Sequence, residues 1–433
     1  MADTLESNLE TEKDSEALKT SMDGQKATLA NELPPELLVH IFEMAQNMFF
    51  PLEQHLACRF PFVLGKVSHY WRLVAYGAPT LWSNVDISLC RDLGGLQVYL
   101  GRSKDSPIDL QLSYNIAFTT TLSRLIGILQ PHYRRCRSIQ VRATPENSYK
   151  FTTAEISSIL GSMCKGHYPM LQHLCVEGFV MSIALQPFAV AADAVNLTSV
   201  RLRGLGLSHC RPPLTAVTQL HLAVSNYPIF YADFSKMLRS CRSLVTLCVY
   251  DNFIVEWPDV HDTYDMPFLR YIRIFGDMLE VSRLLLSISA PDLEGLTIAP
   301  IIRHDLIKFR RETSNVPRFP ALKSLTMAPT QANILGLRAV SLANACFPGI
   351  KLLILPNYDG LSFVESFKTS DFRPFWPELD GLAVRGIDDE DVLYECALAL
   401  TIPGPLVNVK NNPNGLAKRS IVSGGGGSVE DTM

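Results

Sequence analysis

The chain has 433 residues, 47% of them hydrophobic and 19% charged, with a formal net charge of −4. This composition excludes global disorder and supplies enough apolar surface for a large core. The net negative charge lies in the first thirty residues and the rest is neutral, so the chain lacks the basic field of nucleic-acid binders and the polybasic block that favours anionic membrane.

Residues 1–30 are polar and acidic, with no apolar core to suggest a signal peptide, and read as a disordered tail. The predicted first domain, residues 31–90, opens with Leu33-Pro34-Pro35-Glu36-Leu37-Leu38. Pro in a first helical turn loses no hydrogen bond, and Glu36 complements the positive end of the dipole. Leu37, Leu38, Ile41, Phe42 and Ala45 then form one wide apolar stripe. A second helix is predicted with Val67, Tyr70, Trp71, Val74 and Ala75 on one face, stopped by Gly77 and Pro79. Leu81-Trp82 and Val85-Asp86-Ile87 follow.

Residues 91–402 carry a repeat. Ile108-Asp109-Leu110-Gln111-Leu112 alternates as an opening strand. The pattern L-x-x-L-x-L, other apolar residues allowed, then begins at Cys136, Leu171, Leu197, Val217, Leu244, Leu269, Leu293, Leu322, Ile350 and Leu379. All but the first interval fall within about 20–29 residues, the period of leucine-rich repeats. Five units carry Pro just before the first apolar position (Pro169, Pro267, Pro291, Pro320, Pro348), which suits the start of a strand. Only Asn252 keeps the asparagine that follows many such strands. Between strands, Leu122/Leu125/Ile126/Leu129, Ile156/Ile159/Leu160/Met163, Phe230/Phe234/Met237/Leu238, Leu284/Leu285/Ile288 and Val392/Leu393/Cys396/Leu400 read as helix faces. The fold class expected is α/β: an N-terminal helical domain, then a leucine-rich-repeat-like solenoid with a parallel sheet on its concave face. Residues 403–433, with Pro403, Pro405, Pro413 and the run Gly424 to Gly427, read as a flexible C-terminal tail.

The first domain resembles an F-box. The match rests on Leu33-Pro34, Glu36-Leu37-Leu38, Ile41-Phe42, Val67, Trp71-Arg72, Ala75, Pro79 and Leu81-Trp82, over roughly residues 33–87. The segments Arg102-Ser103-Lys104-Asp105-Ser106-Pro107 and His132 to Ser138 are similar to those of F-box proteins abundant in mushroom-forming fungi. The stretch between Phe42 and Trp71 is longer than in the commonest F-box. The resemblance implies docking onto a Skp-type adaptor, and through it a cullin–RING ubiquitin ligase, with the repeats capturing a protein substrate. Leu33, Pro34, Glu36, Leu37, Leu38, Ile41, Phe42, Val67 and Trp71 become the expected adaptor-binding residues. The alternative is a non-degradative interaction scaffold.

Enzyme machinery is not expected. No phosphate-binding loop, dinucleotide fingerprint, nucleophile elbow or H-E-x-x-H motif occurs. The ten cysteines form no C-x-x-C pair, so neither metal nor other cofactor is expected, and a reducing compartment, cytoplasmic and/or nuclear, fits them. Asp388-Asp389-Glu390-Asp391 reads as the acidic start of the last helix.

In an L-x-x-L-x-L strand the apolar positions point inward and the alternating ones outward. The outward residues include Ser138, Cys175, Cys248 and Ala383, and in the middle units Arg201, Arg203, His221, Tyr250, Tyr271, Arg273 and Phe275. Arg and Tyr are enriched in binding hot spots, so this group is the expected substrate-binding patch, suited to an acidic or phosphorylated segment.

Overall fold

A computed structural model describes residues 32–49, 54–87, 93–113, 122–142, 153–177, 188–204, 207, 209–225, 229–250, 254–259, 262–276, 280–301, 303–313, 317–328, 337–355, 376, 378–385, 406–410 and 418–422. The acidic tail, Asn252, Asp388 to Asp391, the expected last helix and the glycine run lie outside these residues. The chain divides into two compact units, Met1–Thr144 and Pro145–Met433.

The first unit opens with three helices: α1 (Pro35–Phe49), α2 (Gln54–Leu64) and α3 (His69–Gly77). Ser68 caps α3, its side chain accepting from the Trp71 backbone N–H, the usual role of a serine at that position. Val67 therefore precedes the helix instead of lying on its face, and it is exposed. A 3-10 turn at Pro79–Trp82 leads into strand β1 (Asn84–Asp86). Then come α4 (Leu93–Arg102), β2 (Ile108–Ser113), α5 (Leu122–Leu129) and β3 (Cys136–Arg142). Strands β1, β2 and β3 pair in parallel.

Residues 91–144, which the repeat pattern assigns to the second domain, fall in this first unit. The physical cause is a shared core. Trp82 is fully buried, donates Nε1–H to the Ala75 carbonyl at 2.9 Å, and meets Tyr99 of α4 edge-on. Phe62 of α2 contacts both rings. Arg102, at the end of α4, lies over Tyr76 at 3.9 Å and Trp82 at 4.5 Å. Arg135 is buried and donates to the Leu100 carbonyl, the Ser103 hydroxyl and the Ser106 carbonyl.

The second unit begins with α6 (Thr153–Cys164), β4 (His173–Glu177), β5 (Ser199–Gly204) and β6 (Gln219–Ser225). The chain continues through β7 (Ile229–Phe230), α7 (Tyr231–Ser240), β8 (Thr246–Tyr250), β9 (Ile254–Val255), β10 (Tyr264–Asp265) and β11 (Tyr271–Phe275). Then follow α8 (Val281–Leu286), β12 (Ile288–Ser289), β13 (Gly295–Ala299), α9 (Arg303–Thr313), β14 (Ser324–Met327) and α10 (Leu337–Cys346). Strands β15 (Leu352–Leu355), β16 (Gly381–Arg385), β17 (Leu406–Lys410) and β18 (Lys418–Val422) close it. The main sheet runs β4-β5-β6-β8-β11-β13-β14-β15-β16-β17-β18, parallel throughout except for the antiparallel pair β17–β18. The molecule is thus α/β with a large parallel sheet and helices. The pairs β7–β9 and β10–β12 are small and separate.

Apolar positions of the repeat fill the core: Leu174, Val200, Leu220, Leu247, Ile272, Leu296, Leu325 and Leu353 are at most 1% exposed. A four-residue turn precedes the strands. The backbone N–H of Leu171, Leu197, Val217, Leu269, Leu293, Leu322 and Leu379 donates to the carbonyl three residues earlier, at 3.0–3.3 Å. Pro169, Pro267, Pro291 and Pro320 occupy the second position of such turns, where their fixed φ is already correct. The expectation that these prolines mark the entry to a strand is thus refined: they lie in the turn that leads into it.

Successive turns are tied by the backbone. The N–H groups of Thr198 and Ser199 both donate to Gln172 O, those of Thr218 and Gln219 to Thr198 O, and the arrangement repeats down to Asp380 and Gly381 on Lys351 O. Two donors thus share one carbonyl, which has lone pairs for both. These ties hold the turn that enters each strand to its neighbour.

Other differences are local. Phe230 lies before α7 and is exposed, while Ile288 belongs to β12 and is buried. Helices α4, α9 and α10 were not expected. The tail beyond residue 403, expected to be flexible, contains β17 and β18. Leu406-Val407-Asn408-Val409-Lys410 has the alternation and β-branched content of a strand, which the surrounding Pro, Asn and Gly masked.

Candidate interaction surfaces

Helix α1 presents two faces. Leu38 and Phe42 are buried, and the Phe42 ring meets Trp71 of α3 at 4.9 Å. Trp71 is half-buried. These residues fix α1 against α3, so the expectation that Leu38 and Phe42 belong to an adaptor-facing surface is corrected: they are core. The opposite face stays open. Leu37 is 53% exposed, Ile41 43%, Met44 50% and Met48 75%. The spacing 37, 41, 44, 48 follows one helix face. Sequence reasoning missed Met44 and Met48 because it merged inward and outward apolar residues into one stripe. Pro34 and Glu36 are exposed at the start of the helix. Leu33 is half-buried, and its carbonyl accepts from the Tyr70 hydroxyl at 2.7 Å, so this end of α1 is anchored to α3. Val67 is 59% exposed.

In the second unit, in-register pairing places outward residues in rows. One row crosses β4, β5, β6, β8, β11 and β13 as Cys175, Arg201, His221, Cys248, Arg273 and Thr297. The next row runs Glu177, Arg203 and Ala223 across β4 to β6, with Tyr250, Phe275 and Ala299 across β8 to β13. Arg201, Arg203 and Arg273 are exposed. Among the described residues they make no hydrogen bond or ion pair. Arg270, by contrast, faces Glu294 and Asp292.

Aromatic side chains flank these cations. Tyr250 and Phe275, on neighbouring strands, stack at 4.8 Å with planes 13° apart. Tyr271 lies over Gly295, where a Cβ would come within 2.9 Å of its ring, and its hydroxyl meets Glu294 Oε2 at 3.3 Å. Gly295 therefore makes room for a ring held flat on the sheet.

His221 sits between Arg201 and Arg273 in this row. Burial, then Arg201, then Arg273, lower its pKa to about 4, so it is neutral near pH 7. Its Nδ1 is buried without a hydrogen-bond partner among the described residues. Cys248, its neighbour on β8, is fully buried, and burial raises its pKa while Arg273 and Arg201 pull the other way. Cys175, Ser138 and Ala383, also expected to point outward, are buried as well. Small side chains sink between the long ones beside them, so alternation alone does not set exposure.

Burial pushes the thiols of Cys136, Cys210 and Cys241 up to about 12, so they act as core hydrophobes. Among the described residues no group of three or more His, Cys, Asp or Glu is placed to hold a metal, and no helix is long and apolar enough to cross a membrane. No protein-family model matches the chain, and no curated protein matches it.

Proposed function

We propose that this protein is a substrate receptor of an SCF-type (Skp–cullin–F-box) ubiquitin ligase. In this reading the first three helices are an F-box, the second unit is a leucine-rich-repeat-like capture domain, and the protein itself performs no catalysis. The observation that carries the proposal is the divided helix α1. Its inward face, Leu38 and Phe42, is consumed by the fold, while Leu37, Ile41, Met44 and Met48 form an apolar face left exposed among the described residues. A stripe of that kind fits helix-in-groove recognition by an adaptor. Leu33-Pro34 at its start matches the F-box pattern, and Val67 and Trp71 add to the same docking surface. The unpaired Arg and aromatic side chains on the second unit's sheet then serve substrate capture, with acidic or phosphorylated protein segments as the fitting ligands.

Affinity capture of the full chain tests this. Wild type should recover a Skp-type adaptor and cullin. The double variant Leu37→Glu, Ile41→Glu should lose both, at least tenfold in yield, while keeping the wild-type melting temperature. Recovery of neither component by wild type would favour an interaction scaffold outside the ligase.

A further inference from the structure

The row Arg201–His221–Cys248–Arg273 holds more than two loose cations. Arg201 and Arg273 stand three strand spacings apart, about 14 Å between backbones. Both rise from one face of the sheet and flank His221 and Cys248 on the two strands between them. No carboxylate forms an ion pair with either of them among the described residues. Glu177 sits on β4 opposite Arg203, one row away, and its Oε1 accepts from the thiol of Cys175, at the β4 end of the row, at 3.8 Å. Beneath the pair lies the orphaned Nδ1 of His221. A buried polar atom without a partner is uncommon and calls for an explanation such as an absent ion.

We propose that Arg201, His221 and Arg273 form one anion-binding site for a phosphate-class dianion, with His221 its proton-accepting member, so that the anion binds together with a proton. Two guanidinium forks satisfy a tetrahedral oxyanion geometrically. The dianion offsets the two guanidinium charges, which after burial hold the imidazole neutral, and an adjacent negative charge favours the imidazolium. His221 then donates to the anion. The groups facing it are Arg201 and Arg203 on β5, Cys175 and Glu177 on β4, Cys248 and Tyr250 on β8, and Arg273 on β11; its own strand adds only Gln219 and Ala223. Glu177 reaches the row only at its β4 end, through the Cys175 thiol, and His221 is the proton acceptor between the two arginines. The inference rests on reading this face as the capture surface only for the origin of the anion, a phosphorylated protein side chain or a free phosphorylated small molecule.

Sulfate tests the site, because its charge is constant from pH 4 to 8 and any pH dependence then belongs to the protein. In the full chain carrying 13C-labelled histidine, the resonance lost in His221→Gln identifies His221. Its titration midpoint, near 4 in chloride, should rise to about 6 in sulfate at equal ionic strength, which corresponds to about tenfold tighter sulfate binding at pH 5 than at pH 7.5. Arg201→Ala with Arg273→Ala should abolish the sulfate effect. A midpoint that sulfate does not move, or moves no more than those of the other histidines, overturns the proposal. Free O-phosphoserine against a decapeptide containing phosphoserine then separates the sources: at least tenfold tighter peptide binding identifies a protein-borne phosphate, and equal binding a small molecule. Failure of the sulfate titration leaves adaptor capture unaffected, whereas failure of adaptor capture removes the ligase reading and leaves the anion site standing.

Discussion

Arg135 shows how a charged residue can be structural in this chain. It is 6% exposed, yet among the described residues no acid forms an ion pair with it. Its guanidinium instead spends its donors on Leu100 O at 3.0 Å, Ser103 Oγ at 3.0 Å and Ser106 O at 2.9 Å. Its Nε lies 3.3 Å from His132 Nδ1. Burial, followed by Arg135 and Arg134, lowers the His132 pKa, so the ring is neutral and its Nδ1 can accept. The segments 102–107 and 132–138, separate motifs along the chain, are therefore two halves of one clamp. Arg135→Met keeps the stem and removes every donor, leaving buried carbonyls under-satisfied. Urea denaturation should show a loss of about 2–4 kcal/mol. A loss under about 0.5 kcal/mol would mean that the carbonyls find other partners and the clamp is incidental.

At the scale of the element, helix α1 separates stability from recognition. Leu38→Ala should cost about 2–5 kcal/mol and Phe42→Ala about 3–5, since each leaves a cavity in the core, Phe42 beside Trp71 of α3. Met44→Ala and Met48→Ala should cost within about 0.5 kcal/mol, because exposed side chains away from caps and cores contribute little. Comparable losses on both faces, measured by urea midpoint, would show that the outer face is covered within the protein. The sequence pattern located the helix but not this division, because adjacent apolar residues such as Leu37 and Leu38 fall within one stripe until a packing partner is known. Strands were more legible. Leu-x-x-Leu-x-Leu encodes both the preceding turn and the alternation, so β3 in the first unit and β4 to β16 of the main sheet appear where the repeat places them. Connecting helices were less legible: α9 (Arg303–Thr313) buries Leu306 and Phe309 amid polar residues, too few apolar positions to stand out. For the candidate site, sequence placed Arg201, His221 and Arg273 in one row through equal spacing. It could not reveal the orphaned nitrogen of His221 or the burial of Cys248, which depend on how far neighbouring side chains lean.

At the scale of the whole molecule, the two units put the two proposed tasks on separate cores, and the division at residue 144 has a consequence for the first of them. A boundary at residue 90, suggested by the change in sequence texture, would cut through that core. Trp82 would lose Tyr99, whose ring centroid lies 5.3 Å away, and the guanidinium of Arg102. Strand β1 would lose its parallel partner β2, leaving the Asn84 to Asp86 ladder unpaired. An unpaired strand edge beside a stripped aromatic cluster is an aggregation site. A fragment of residues 32–144 should therefore melt cooperatively and give dispersed amide resonances, whereas residues 32–90 should be aggregated or unfolded. A well-dispersed spectrum from the shorter fragment would show that the three helices form a self-sufficient domain. Residues 91–144 would then be an extension packed on it and not part of its core, and the apolar outer face of α1 could be studied on 59 residues alone.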